Sequence, residues 1–426
     1  MNITTETVKE IDGVKLHQIK TDKYKTNTIV WKMKAPLSKD TVTLRALLPH
    51  VLESSSAAYP TTAKLRAYLD ELYGASLYVD LSKKGEYHII SMTIEMANEK
   101  FLSDQTPLLR KAFELLSELL LHPLSNNGAF DREVVESEKR TLKQRIQAVN
   151  DDKMRYANLR LVQEMCKDEA YALHVHGELD DLPLITESSL YHYYEKALAE
   201  DELDLYMIGD IDTNEVEQYV RELLPLKTRP IKEASIARAN DLIEPETIKE
   251  EQDVKQAKLN IGYRTGITYG DPEYSALQIF NGIFGGFSHS KLFINVREKA
   301  SLAYYVASRL ESHKGLLMVM SGIDNNSYGQ ATSIIEEQLE EMQKGAFTEE
   351  EITQTKAVIQ NQMLETMDTA RGVAEVLYHN IVSQQKMDLT EWMNGMEAVT
   401  KEDIITVAKK VQLDTIYFLH GKEVQK

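Results

Sequence analysis

An imidazole and a carboxylate three residues apart, His50 and Glu53, lie in the segment Leu47-Leu48-Pro49-His50-Val51-Leu52-Glu53-Ser54, whose apolar spacing is helical. In the H-x-x-E-H zinc-hydrolase pattern, two imidazoles at i and i+4 share a helix face and ligate the metal. The Glu between them takes a proton from the metal-bound water, and a carboxylate from another helix completes the site. Here Ser54 stands at the fifth position, and a serine hydroxyl is not a usual zinc ligand. The segment therefore keeps one ligand and the base of such a site but lacks the second imidazole. The bland reading beside it is chance, since His-x-x-Glu on a helix arises in many proteins without any function.

Other residue types that could do chemistry are less organised. His174 and His176 alternate in Leu173-His174-Val175-His176-Gly177, but no nearby carboxylate or third His completes a metal site, and they read as surface or loop residues. The segment Met363-Leu364-Glu365-Thr366-Met367 reads as core packing, and Thr348 with Glu351 as a helix-starting capping box. The single cysteine, Cys166, can form no internal disulfide and no cysteine-based metal motif, which suits a reducing cytoplasm.

Positioning these residues requires more than one domain. The 426 residues, 42% hydrophobic and 27% charged, have the composition of a globular protein with two or three domains. A net charge of −18, with no compensating basic patch, disfavours nucleic acid and anionic membranes, so protein or peptide partners are expected. The first twenty residues hold no apolar run of signal-peptide length, and no run is long enough to span a membrane, so a cytoplasmic location is expected.

Alternating patterns predict strands at 12–19, 26–35, 76–82, 86–96 and 204–208. Helical patterns cover 41–58, 61–72, 102–121, 130–150, 153–166 and 187–199. Pro49 inside the first helical pattern predicts a kink there or a helix restarting at that residue. The polar, proline-punctuated stretch 226–250 is the expected linker between an N-terminal domain, 1–225, and a C-terminal domain, 251–426.

After that stretch the pattern repeats. Residues 64–79 align without gaps on 291–306, with matches Lys64/Lys291, Leu65/Leu292, Glu71/Glu298, Tyr78/Tyr305 and Val79/Val306. Phe130 and Lys139 have counterparts in Phe347 and Lys356, and Leu203-Asp204 in Leu413-Asp414. The shared order indicates duplication. Each half mixes strands and helices without regular βαβ alternation, so the expected fold is α+β, with helices covering one face of a largely antiparallel sheet in each half.

A duplicated α+β chain with His-x-x-Glu in the first helix resembles the pitrilysin, insulinase and mitochondrial processing peptidase family over essentially its whole length, most of all its inactive bacterial members. The resemblance implies two homologous domains facing each other as a clamshell. It maps the family's zinc motif onto His50, Glu53 and Ser54. The family's downstream pattern E-x-E-(x)6-E falls on Glu136 and Glu138, with Arg145 at the third-ligand position. Two of three ligands are thus replaced, one by a permanent cation that repels a dication at short range. No cofactor is expected in this chain.

In the second half, Arg297 and Tyr304 match the family's Arg-(x)6-Tyr pair, and the segment around Gly285 and Gly286 matches its glycine-containing loop. The resemblance implies that these residues bind substrate, the Arg and Tyr donating hydrogen bonds near the scissile carbonyl. The alternatives are a surface salt bridge for Arg297, with Glu298 or Glu53, and strand packing for Tyr304. The expected function is the non-catalytic, substrate-binding subunit of a heterodimeric zinc peptidase acting on unfolded peptides, with zinc and an intact H-x-x-E-H in a homologous partner. Two other readings stay open: a stand-alone peptide-binding or assembly protein, and a peptidase with an unorthodox metal site at His50, Glu53 and Glu138. A homodimer also stays open.

Overall fold

The computed structural model describes residues 6–104, 106–231, 233–234 and 244–422. The chain forms two compact units. Unit 1 comprises Met1–Gln147, Leu173–Ser235 and Met367–Val376; unit 2 comprises Ala148–Ala172, Ile236–Thr366 and Leu377–Lys426.

Unit 1 is built on a six-stranded sheet of β1 (Glu6–Ile11), β2 (Val14–Lys20), β3 (Thr26–Pro36), β4 (Ser76–Lys84), β5 (Tyr87–Ala97) and β8 (Glu202–Gly209), in the order β1-β2-β8-β3-β5-β4. Only β2 and β8 run parallel; the other neighbours are antiparallel. One face carries α1 (Val42–Ser54), α3 (Leu108–Leu121), α6 (Glu187–Glu200) and α7 (Thr213–Leu223), whose apolar stripes close over Ile29, Trp31 and Met33 of β3. Also in this unit are α2 (Thr62–Glu71), the short ladder of β6 (Ser125–Asn126) and β7 (Ala129–Phe130), and α4 (Arg132–Asp151) as far as Gln147. On the other sheet face Lys32 is buried, and its Nζ meets Glu375 Oε2 at 3.1 Å.

Unit 2 has a five-stranded sheet of β9 (Glu246–Glu251), β10 (Ala257–Arg264), β11 (Ala303–Glu311), β12 (Leu316–Ile323) and β13 (Gln412–His420), ordered β11-β12-β10-β13-β9. Its helices are α5 (Lys153–Met165), α8 (Tyr274–Asn281), α9 (Tyr328–Gln343), α10 (Glu349–Thr366), α11 (Ala370–Ser383, from Leu377), α12 (Leu389–Ala398) and α13 (Lys401–Lys410).

The two sheets correspond strand for strand. Reading β4-β5-β3-β8-β2 against β11-β12-β10-β13-β9 gives the same order, with the one parallel pair, β2/β8 and β9/β13, in the same place. The sequence matches fall on equivalent elements: Tyr78 on β4 and Tyr305 on β11, Lys139 on α4 and Lys356 on α10, and Asp204 on β8 and Asp414 on β13. Even the side-chain roles agree. Lys139 Nζ donates to Ile185 O at 3.0 Å and Lys356 Nζ to Val399 O at 2.9 Å. Each acceptor immediately precedes a capping-box threonine, Thr186 of α6 or Thr400 of α13. The fold is therefore duplicated α+β.

Several boundaries differ from the expectation. The first helix runs through Pro49 as one element and ends at Ser54; a single interior proline forfeits one hydrogen bond, while Leu47, Leu48, Val51 and Leu52 around it are all buried. The 102–121 helix starts only at Leu108, directly after Pro107. Of the expected linker, residues 246–250 belong to β9, and 232 and 235–243 lie outside the described residues. Helix α5, which precedes that stretch, packs in unit 2. Leu161 and Met165 join Leu316, Met318, Tyr417 and Leu419 in one cluster, and Gly262 makes room for them, since a Cβ there would meet Met165 Sδ at 2.6 Å.

Candidate functional site

Helix α1 buries His50, 6% exposed, while Glu53, one turn on, remains partly exposed, so the sequence pair shares a face as its spacing requires. Glu53 Oε2 is 3.8 Å from His50 Nδ1. Helix α4 brings the second set of residues against this face. Ser54 Oγ lies 2.6 Å from Glu138 Oε1 and 2.7 Å from His50 O. Its single proton can satisfy one acceptor at a time, and the carboxylate is the stronger. Arg145 packs its guanidinium on the His50 ring, with Nη1 3.2 Å from Nδ1 and in hydrogen-bonding contact with Nε2. Glu136 stays outside this group and pairs with Lys139 at 2.8 Å. The structure thus brings His50, Glu53, Ser54, Glu138 and Arg145 together.

A zinc ion does not fit this set. The imidazole nitrogen that would donate to a metal faces a guanidinium, and the carboxylate of Glu138 accepts from Ser54. Among the described residues no group of three or more His, Cys, Asp or Glu is arranged to hold a metal ion. The guanidinium would also repel a dication placed against His50.

His176 joins the site without any signal in the sequence pattern. Burial, followed by the nearby charges of Arg145 and His50, pushes its pKa below the ordinary histidine value. Burial and then His176 and Lys83 push His174 down to about 4. Both residues lie in a loop, as expected, but they are half-buried rather than on the surface, and the Nδ1 atom of each is buried without a hydrogen-bond partner.

In unit 2 the glycine segment is helical rather than a loop. Gly282–Gly286 extends α8 as a π-helical turn, a form concentrated at functional sites. Gly285 is there for close packing: a Cβ would meet Ser308 Oγ at 2.6 Å and Leu292 Cδ1 at 2.8 Å. At Gly286 a Cβ would approach Asn281 Nδ2 to 2.9 Å. A second π-helical segment, Phe293–Lys299, carries Arg297, whose guanidinium lies 4.5 Å from the centre of the Phe293 ring. Arg297 is exposed, and among the described residues of its own unit no ion pair holds it. Tyr304, on β11, is 68% exposed, which removes the packing reading.

Residues 185–359 match the family model described as "Peptidase M16 inactive domain". The chain is 55% identical over 423 residues to "Probable inactive metalloprotease YmfF" of Bacillus subtilis (strain 168), covering 99% of both chains. The chain belongs to the M16 metallopeptidase family. A crystal structure of a conserved protein from Enterococcus faecalis V583 superposes on this M16 chain with a TM-score of 0.91 at 37% identity, covering 99% of it and 100% of that chain. A more distant relative, "Uncharacterized zinc protease YmxG" of Bacillus subtilis (strain 168), is 21% identical over 70% of this chain and 72% of its own length. Together with the altered site, these matches make the chain an inactive M16-family metalloprotease homologue.

Proposed function

We propose that this chain is the non-catalytic, substrate-binding subunit of a two-chain zinc peptidase acting on unfolded peptides. The observation that carries the reading is the unequal fate of the two sets of site residues. In unit 1 a guanidinium occupies the ligand position against His50, and Ser54 engages Glu138; in unit 2 the donors Arg297 and Tyr304 stand exposed. A partner with intact H-x-x-E-H would supply zinc and the general base, and this chain would supply a guanidinium and a phenol as donors to a peptide oxygen. Gly285 and Gly286 would support these donors by letting the π-helical turn pack closely. No zinc is expected in this chain, and the Ser54–Glu138 hydrogen bond weighs against a metal site at His50, Glu53 and Glu138.

Among the described residues no helix is long and apolar enough to cross a membrane. The buried Cys166 thiol, pushed up to about 12 by burial, suits the cytoplasm proposed as its location. The test is a pull-down of the tagged chain from its native cell. A co-purifying homologue with intact H-x-x-E-H is expected. Peptides or client proteins without such a chain would instead favour a stand-alone binding protein, and recovery of the chain only with itself would favour a homodimer.

A further inference from the structure

We infer that the altered α1–α4 site is a carboxylate receptor, in which Arg145, positioned by His50, holds a carboxylate of a bound peptide. A guanidinium carries five N–H donors in a planar fork that matches a carboxylate two bonds at a time. In this protein it has one ring-nitrogen acceptor, Nε2 of His50, which its Nη1 contacts from one side, and Arg145 is otherwise exposed. No carboxylate of the described chain pairs with it. Glu138 accepts from Ser54, Glu136 is paired with Lys139, and Glu53 approaches His50 rather than the guanidinium. The imidazole behind Arg145 is buried, so the cation is backed by a partly desolvated surface, where a charge-assisted pair is stronger than in water.

A second observation points the same way. His176, close enough to be depressed by both Arg145 and His50, carries a buried Nδ1 with no hydrogen-bond partner. Beside the guanidinium there is thus a buried ring nitrogen without a partner, and in the tautomer with its proton on Nδ1 a carboxylate oxygen supplies the acceptor that it lacks. The overall charge of −18 selects against polyanions such as nucleic acid. The shared ligand chemistry is a carboxylate, from a peptide C-terminus or from an Asp or Glu side chain.

This inference rests on the peptide-binding reading only for the origin of the carboxylate, and two measurements separate the two ideas. The first is fluorescence anisotropy with a labelled Ala/Ser/Gly peptide bearing a free C-terminus, the same peptide as its amide, and that amide with one internal Glu. One or both acidic peptides should bind about tenfold to a hundredfold more tightly than the plain amide. The preference should vanish in Arg145→Gln and survive, weakened, in Arg145→Lys. Whichever acidic peptide binds better identifies the source. The second measurement is the melting temperature in N-acetylglycine against N-acetylglycinamide, where only the acid should stabilise the protein and only with Arg145 present.

Equal binding of all three peptides, or a preference that persists in Arg145→Gln, overturns the receptor and leaves the peptide-binding reading standing. Stabilisation by N-acetylglycine that depends on Arg145, with no peptide bound, supports the receptor and overturns the peptide-binding reading. No effect in either measurement overturns both.

Discussion

The two units share a framework and differ in what they mount on it. Unit 1 locks β8 to its surroundings through Arg45, which donates to Asp201 Oδ2 at 2.5 Å, Tyr193 OH at 3.1 Å, Met33 O at 2.6 Å and His88 O at 3.0 Å. Unit 2 locks β13 through Arg264, which donates to Asp414 Oδ2 at 2.9 Å and to Glu169 Oε1 and Met165 O, both at 2.6 Å. Strand order, lysine-to-carbonyl contacts and capping boxes agree as well. The helices after β3 and β10 do not agree. In unit 1, α1 carries a buried imidazole under a guanidinium; in unit 2, α8 continues into a glycine-lined π-helical turn. Packing constrains the frame in both copies, whereas the polar groups mounted on it have been free to diverge.

The largest effect that would sharpen this comparison comes from Arg45. It is fully buried, so Arg45→Ala leaves Asp201 buried and unpaired, at a cost of about 3–5 kcal/mol. Arg264→Ala should cost less, because its side chain and that of Glu169 are each 13% exposed. Urea unfolding is read by Trp31 for unit 1 and by Trp392 for unit 2. A larger loss at Arg264 than at Arg45 would break the parallel between the two locks.

Acid should separate the units next. With its folded pKa at about 4 against an ordinary 6.5, His174 takes up its proton first in the unfolded chain as pH falls through that window. Unit 1 therefore loses up to roughly 3 kcal/mol between about pH 6.5 and 4 from this residue. His17 has the opposite sign. Against its burial, hydrogen bonds to Asp204 and Glu6 raise its pKa, so its contribution is full below about 6.5 and is lost as pH rises through its folded value. Hence His174→Gln should flatten the acid limb of the Trp31 transition, and His17→Gln the neutral limb. An acid limb unchanged by His174→Gln would contradict the account.

The smallest effect tests equivalence most finely. Thr186→Ala and Thr400→Ala each remove a capping box from corresponding helices and should each cost about 1 kcal/mol. Costs differing by more than about 1 kcal/mol would show that the two caps are not equivalent.

Much of this was legible in the sequence, for identifiable reasons. Alternation located β3 and β5, and the helical period located α1 and α4, because these elements bury a face and so must carry the pattern. The spacing from Glu138 to Arg145 placed the cation at the site, since both sit on one helix. Strand β1 was not legible: an edge strand exposed at Thr7, Val8, Lys9 and Glu10 has little alternation to show. The allegiance of α5 was not legible either, because an apolar stripe does not say which sheet will cover it. His176 reaches the site through a loop, whose path follows no period.

The central claim is that this chain contributes donors to a reaction whose metal lies in another chain. Its most direct test is kcat/KM for unfolded-peptide cleavage by the chain reconstituted with a co-purifying H-x-x-E-H homologue, comparing wild type with Arg297→Ala and Tyr304→Phe. Both residues are exposed, so folding and association should be unchanged. The account predicts a fall of about tenfold for a substrate-binding contact and roughly 10²–10³ for a donor to a developing oxyanion, with no cleavage by this chain alone. Undiminished cleavage with both variants, or zinc-dependent cleavage by this chain alone, would contradict it.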